Sequence, residues 1–124
     1  MSLHTRSQKL AQAAYKQVAE RKIGDKYKTA AKKFPALIHT CGLAQAIAFG
    51  LAKSEHHEYM DDLAAVMNEL GYQKITSRDA LDEASRSEPL SGYLRISRDA
   101  ISAASWLKRY VEAVSPEETT EAAL

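Results

Sequence analysis

The side chains best suited to metal or acid–base chemistry are the four histidines and two adjacent aspartates. Residues 57–61 read HEYMD, which has the spacing of a zinc-binding helix except that aspartate stands where the second histidine is needed. Zinc requires two imidazoles on one helical face and a further ligand, so we expect no metal here. Asp61 and Asp62 diverge by roughly 100° on a helix, so they cannot act as a carboxylate pair and are expected at the surface.

The single cysteine, Cys41, does not have the surroundings of a nucleophile. It lies two residues from His39, so the two side chains do not share a helical face, and its neighbours are apolar. The sequence contains no Gly-rich phosphate loop, no Gly-x-Ser-x-Gly turn and no Cys-x-x-Cys pair. We therefore expect a protein that is not an enzyme and that holds no cofactor.

Basic residues offer another chemistry, the binding of a polyanion. Lys9 and Lys16 are seven residues apart, and so are Lys26 and Lys33, so each pair lies on one stripe of a helix. Stripes on neighbouring helices can cradle a phosphate backbone, although an ordinary solvated surface has the same pattern. The predicted RNA-binding residues are Lys9, Lys16, Lys22, Lys26, Lys33, Arg98 and Arg109.

Opposite charges are concentrated in different parts of the chain, although the net charge is only +1. Residues 1–33 contain nine bases and two acids, whereas residues 54–90 contain nine acids and three bases. This asymmetry predicts a molecule with one basic and one acidic side. Such a molecule can bind a polyanion and can also stack head to tail on copies of itself.

Length and composition favour one helical domain. A chain of 124 residues with 45% hydrophobic residues can bury its own core, and helix-forming residues are abundant. We expect a single all-α domain over residues 1–115, followed by a flexible acidic tail over residues 116–124. One cysteine, a polar N-terminus and apolar runs too short to cross a bilayer predict a cytoplasmic protein.

The apolar periodicity predicts about five to six helices. These cover residues 8–21, 25–41 and 43–51, then 58–70, 77–85 and a last helix that Ser97 caps. Pro35 and Gly42 are expected to interrupt the central helical segment, and the helix after Gly42 is expected to be the most central one. Gly50 within it indicates close approach by a neighbour.

Two blocks of sequence resemble the small α-helical subunit of Cmr-type (type III-B) CRISPR effector complexes. The first is residues 34–49, FPALIHTCGLAQAIAF, and the second runs from Tyr93 to Tyr110 and contains WLKRY at its end. The likeness extends over most of residues 8–114. Cys41 and His39 depart from the expected asparagine and basic residue, so a polar contact at either position is in doubt.

The resemblance implies a non-catalytic helical bundle within an RNA-guided complex whose other subunits perform the cleavage. The small subunit would stack in copies, bridge its neighbours and offer a basic groove to the backbone of the guide–target duplex. Two alternatives are a helix-turn-helix DNA-binding regulator built on residues 58–70 and 78–86, and a protein adaptor without nucleic-acid contact. Three acids on the second of those helices, Asp79, Asp82 and Glu83, argue against the regulator.

Overall fold

The computed structural model describes residues 4–114, and the regular structure in this part is entirely helical. The predicted acidic tail, residues 116–124, lies outside the described residues. The six α-helices are α1 (Arg6–Ala19), α2 (Asp25–Cys41), α3 (Leu43–Leu51), α4 (His57–Leu70), α5 (Arg78–Ser87) and α6 (Leu90–Val114). A 3₁₀ turn, Ser54–His56, joins α3 to α4. The all-α prediction is confirmed, and no described helix is long and apolar enough to cross a membrane.

The centre of the bundle is α4, which packs against α1, α2, α3, α5 and α6. Its buried residues cover more than one face and include Tyr59, Met60, Leu63 and Val66. The prediction that the helix after Gly42 is the most central was therefore wrong. That helix, α3, is short and leaves Phe49 about half exposed, at 49%.

Helix boundaries fall where local side chains or glycines satisfy the backbone. Thr5 and Gln8 form a reciprocal capping box at the start of α1. The Ser77 hydroxyl accepts from the Ala80 amide at the start of α5, as predicted. Gly71 ends α4 with φ of +130°, a conformation that glycine adopts without steric cost.

The predicted interruption of the segment by Pro35 did not occur, whereas the break at Gly42 is confirmed. The α2 helix continues through Pro35, because Phe34 and Ile38 on either side of it are both buried along one stripe. Tertiary burial outweighs the lost hydrogen bond at proline. Gly42 has φ of +89°, so α2 ends there and α3 begins in a new direction.

The prediction that Ser97 caps the last helix was also wrong. The α6 helix begins at Leu90, and its first turn is closed by the Tyr93 amide, which donates to the Pro89 carbonyl at 2.8 Å. Ser97 lies inside the helix. Tyr93 packs against the core and its hydroxyl accepts from the Ala44 amide at 3.2 Å, so a tertiary contact holds the helical turn that precedes Ser97.

Asp62 is buried, contrary to the expectation that both aspartates of the pair lie at the surface. Its carboxylate accepts from Nε and Nη2 of Arg21, each at 2.7 Å, and from the Tyr27 hydroxyl at 2.5 Å. This network links the end of α1 to α2 and α4. The hydrogen bond to Asp62 raises the pKa of Arg21, so the guanidinium stays charged.

A second buried carboxylate, Asp99 on α6, joins the other end of the bundle. It accepts from the Tyr72 hydroxyl at 2.5 Å and forms an ion pair with Arg6 at the start of α1. Burial together with the hydrogen bond to Asp99 raises the pKa of Tyr72 to about 12. The two buried aspartates therefore fix α1 to the rest of the bundle near both of its ends.

Candidate functional site

A cavity of about 240 Å³ lies between α2, α3 and the start of α4, and is called here the α2–α3 cavity. Two of the predicted RNA-binding residues, Lys26 and Lys33, line it together. Their seven-residue spacing on one helix accounts for the shared face. The lining also includes Phe49, Lys53, Glu55, His56 and Tyr59.

The close approach of α3 and α4 beside this cavity depends on Gly50. A Cβ atom at that position would lie 2.5 Å from the Met60 sulfur, and both residues line the cavity. The predicted close approach at Gly50 is thereby confirmed. The Gly42 break turns α3 back toward α2, and the glycine at position 50 then allows it to lie against α4.

The charged side chains that line the α2–α3 cavity are mostly basic. Lys26 lies 3.9 Å from Glu55, and the same carboxylate is 3.8 Å from Nε2 of His56. Among residues 4–114, neither Lys33 nor Lys53 forms an ion pair with an acidic side chain. One carboxylate thus faces three lysines, which leaves a positive potential for an anion.

An aromatic platform accompanies these cations. The rings of Phe49 and His56 stack with their centroids 6.0 Å apart and an interplanar angle of 29°. Sequence reasoning missed Phe49, Lys53 and His56 as site residues. A usable signal was the sequence of an aromatic residue, a basic residue and a histidine at the end of an apolar helix. Cations and rings on one short segment can hold a phosphate and a nucleobase together.

A second basic surface lies between α1 and α6. Lys9 and Lys16 line one cavity with Tyr15 and Tyr110, whose rings meet edge to face at 5.5 Å. Lys16 is 3.6 Å from Glu69 of α4, so part of its charge is compensated. This surface is more open and less cationic than the α2–α3 cavity.

The remaining predicted residues lie apart from these two cavities. The Arg109 guanidinium lies over the Trp106 ring, 5.0 Å from its centroid, and both line a shallow depression between α1 and α6. Lys22, in the turn after α1, and Arg98, on α6, are exposed and line neither the α2–α3 cavity nor the cavity with Lys9. The structure thus distributes the seven side chains over more than one surface.

The basic and acidic blocks of the sequence meet one another within the fold. Because α1 packs on α4, Lys16 pairs with Glu69 and Arg21 pairs with Glu58 at 3.4 Å as well as with Asp62. The charge segregation along the chain is therefore partly cancelled across helix interfaces. The cations that remain for an external anion include those around the α2–α3 cavity.

Residues that sequence analysis considered for metal or nucleophilic chemistry are dispersed. Within residues 4–114, no group of three or more histidine, cysteine or acidic side chains is placed to hold a metal ion. The ring of His57 lies 3.0 Å from the Leu51 carbonyl oxygen, and Cys41 is exposed at the end of α2. The chemistry concentrated at the α2–α3 cavity is that of anion and aromatic binding.

Comparison with known proteins gives one consistent family. The family described as CRISPR-associated protein (Cas_Cmr5) matches residues 6–114. A protein of Thermus thermophilus named "CRISPR system Cmr subunit Cmr5" is 39% identical over 120 residues, which cover 93% of this chain and 100% of the relative. The crystal structure of a CRISPR-associated Cmr5 family protein from the same organism superposes with a TM-score of 0.80 at 38% identity, covering 91% of this chain and 99% of that one.

Proposed function

Since this chain belongs to the Cmr5 family of CRISPR-associated proteins, we propose that it is the small, non-catalytic subunit of a Cmr-type (type III-B) RNA-silencing complex. The observation that carries the proposal is the extent of the similarity. It spans the whole bundle from α1 to α6 and the full length of a relative that is named as a Cmr subunit. The partners are then the other subunits of the complex and its guide or target RNA, in the cytoplasm.

The proposed role is to bridge neighbouring subunits and to hold an RNA backbone by sequence-independent ionic contacts. Lys33 and Lys53, which have no acidic partner among residues 4–114, support the second part, because lysines that neutralise phosphates release counterions and bind without reading bases. Leu90 and Leu94, one turn apart on α6 and 73% and 59% exposed, supply apolar surface for a protein neighbour. Stacking of copies is part of the same proposal.

Charge reversal of three basic residues tests the RNA contact. The triple variant combines Lys16→Glu, Lys26→Glu and Arg109→Glu. Its affinity for single-stranded RNA should fall about equally for unrelated sequences. The slope of log affinity against log salt should flatten by roughly 0.7 for each phosphate that the variant no longer neutralises. Lys74→Glu is the control, because Lys74 is an exposed base in the loop between α4 and α5. Unchanged affinity and slope in the triple variant would remove these residues from the RNA contact.

Recovery of a tagged chain from native cells separates the alternatives. A Cmr-type subunit should bring down other complex subunits together with guide RNA. A protein adaptor should bring down the same proteins after nuclease treatment and be unaffected by the charge reversals. A helix-turn-helix regulator should instead prefer one duplex DNA, which Asp79 and Glu83 on the exposed part of α5 disfavour.

A further inference from the structure

We infer that the α2–α3 cavity is a pocket for one unpaired nucleotide, with the base on the Phe49 ring and the phosphate at Lys33 and Lys53. The inference deepens the proposed function and rests on it for the source of the nucleotide, a single-stranded stretch of RNA. It adds a specific subsite to what is otherwise a diffuse ionic contact. The ligand class follows from three features of the cavity.

The first feature is an aromatic ring that lines the cavity and is exposed to solvent. Phe49 is 49% exposed, whereas Leu43, Ala46 and Ile47 of the same helix are buried. His56 stacks on the Phe49 ring, with the two ring planes 29° apart. A half-exposed ring can stack with a base, and such stacking tolerates any of the four bases because each has a π-face.

The second feature is the arrangement of charge around that ring. Lys33 and Lys53 have no acidic partner among the described residues, whereas Lys26 is partly compensated by Glu55 at 3.9 Å. A phosphate attached to a stacked base would therefore be held by Lys33 and Lys53. Glu55 also lines the cavity, so its carboxylate repels the anion. Removing that negative charge should therefore tighten binding, whereas removing a lysine charge should weaken it.

The third feature is the size and the interior of the cavity. A volume of about 240 Å³ is below the roughly 300–1,000 Å³ of pockets that enclose drug-sized ligands, and it suits a single base with its phosphate outside. Tyr59 lines the cavity and is fully buried, and its hydroxyl has no hydrogen-bond partner among the described residues. The Tyr59 ring therefore belongs to the wall of the cavity, while its hydroxyl lies on the side of the core near Asp62.

The direct test is titration of the full chain with uridine 5′-monophosphate, ribose 5-phosphate and inorganic phosphate, followed by NMR. Uridine monophosphate should shift the ring signals of Phe49 and His56 and should bind about fivefold or more tightly than ribose 5-phosphate. Equal binding of the two compounds would mean that the cavity is only an anion site. Absence of shifts at Phe49 and His56 would also overturn the pocket.

Three variants sharpen this test. Phe49→Leu keeps an apolar side chain but removes the π-face, so it should remove the advantage of uridine monophosphate over ribose 5-phosphate. Glu55→Gln should tighten both ligands. Tyr15→Leu is the matched control, because Tyr15 is also 49% exposed but lines the other cavity, and it should change neither affinity. If Phe49→Leu behaved like Tyr15→Leu, the pocket assignment would be wrong.

RNA with a single abasic position distinguishes the source of the nucleotide and separates this inference from the proposed function. Removing a base that enters the pocket should lower RNA affinity about fivefold or more, and Phe49→Leu should abolish that difference. Binding of uridine monophosphate without any abasic effect would indicate a free nucleotide as the ligand and overturn the RNA assignment. RNA binding with normal salt dependence but no Phe49 effect would overturn the pocket and leave the proposed function standing. Failure to recover Cmr subunits with the tagged chain would overturn the proposed function and leave the nucleotide pocket standing.

Discussion

Asp61 and Asp62 show how one position along a helix changes what a carboxylate contributes. Asp62 is withdrawn from water and satisfied by Arg21 and the Tyr27 hydroxyl. Asp61 lies closer to solvent, pairs with Arg78 at 2.7 Å and accepts from the Arg78 amide at the start of α5. A buried charge depends on its partners for the solvation that it lost, whereas an exposed ion pair is worth little because water and salt screen it.

Asp62→Asn should therefore destabilise the protein more than Asp61→Asn. We expect a loss of about 2 kcal/mol in the free energy of unfolding for Asp62→Asn, because the partly buried Arg21 guanidinium loses its bidentate partner. The loss for Asp61→Asn should stay below about 1 kcal/mol. Denaturant titration of both variants measures the difference. Equal losses would mean that the Asp62 network does not hold α1 to α4.

The buried tyrosines predict a loss of stability at alkaline pH. Burial, and secondarily the nearby Asp62 carboxylate, raise the pKa of both Tyr27 and Tyr59 above the ordinary value near 10. Below that pH both the folded and the unfolded chain are protonated, so stability does not change through these groups. Above it only the unfolded chain releases the protons, and stability falls by up to about 1.4 kcal/mol per pH unit for each of the two.

Denaturant titrations below and above the ordinary tyrosine pKa test this prediction, with tyrosinate absorbance recorded in parallel. Tyr27→Phe and Tyr59→Phe should each flatten the decline. Tyr15→Phe serves as the control, since the Tyr15 ring is half exposed. A decline that persisted unchanged in the Tyr27 and Tyr59 variants would assign it to other groups.

At the scale of single helices, Pro35 and Gly42 have opposite effects on the same segment. Pro35 lies inside α2 and does not end that helix. Pro35→Ala should therefore restore a helical hydrogen bond and raise the free energy of unfolding by about 1 kcal/mol. Gly42 has positive φ, and a Cβ there would lie 3.5 Å from the Tyr93 hydroxyl. Gly42→Ala should lower stability by about 1 kcal/mol or more. Thermal unfolding of the two variants should shift in opposite directions.

The helix boundaries that sequence could predict were those set by local side chains. Ser77 and Gly71 act on the backbone within one turn of themselves, so their types and positions suffice. Pro35 and Ser97 carried equally clear local signals, yet packing of distant residues overrode both. The central place of α4 was also hidden, because the burial of Asp62 depends on Arg21, which lies 41 positions earlier.

The same limit applies to the candidate site. The spacing of Lys26 and Lys33 predicted that they share a face, and both line the α2–α3 cavity. Nothing local to that helix indicated that Phe49, Lys53 and His56 would join them, since this requires the turn at Gly42 and the close approach at Gly50. Periodicity specifies the faces of single helices, whereas the composition of a cavity is decided by how helices cross.

At the scale of the whole molecule, pairing between the basic and acidic blocks determines which cations remain available to RNA. Lys16 is opposite Glu69 and Lys26 is opposite Glu55, whereas Lys9, Lys33 and Lys53 have no acidic partner among residues 4–114. A paired lysine must give up or share its carboxylate when a phosphate binds. Unpaired lysines should therefore contribute more to the salt dependence of RNA binding.

Neutralising two pairs of lysines tests this view. Lys33→Gln with Lys53→Gln should lower the salt slope by roughly 1.4, because two uncompensated lysine charges no longer release counterions from the RNA and each accounts for about 0.7. Lys9→Gln with Lys16→Gln should lower it by only about 0.7, since Lys16 is already partly neutralised by Glu69. Lys74→Gln, on the acidic part of the chain, should leave the slope unchanged. A larger effect from Lys9 and Lys16 would place the RNA on the surface that these two lysines line instead, because the slope counts the lysine charges that each surface contributes to RNA binding.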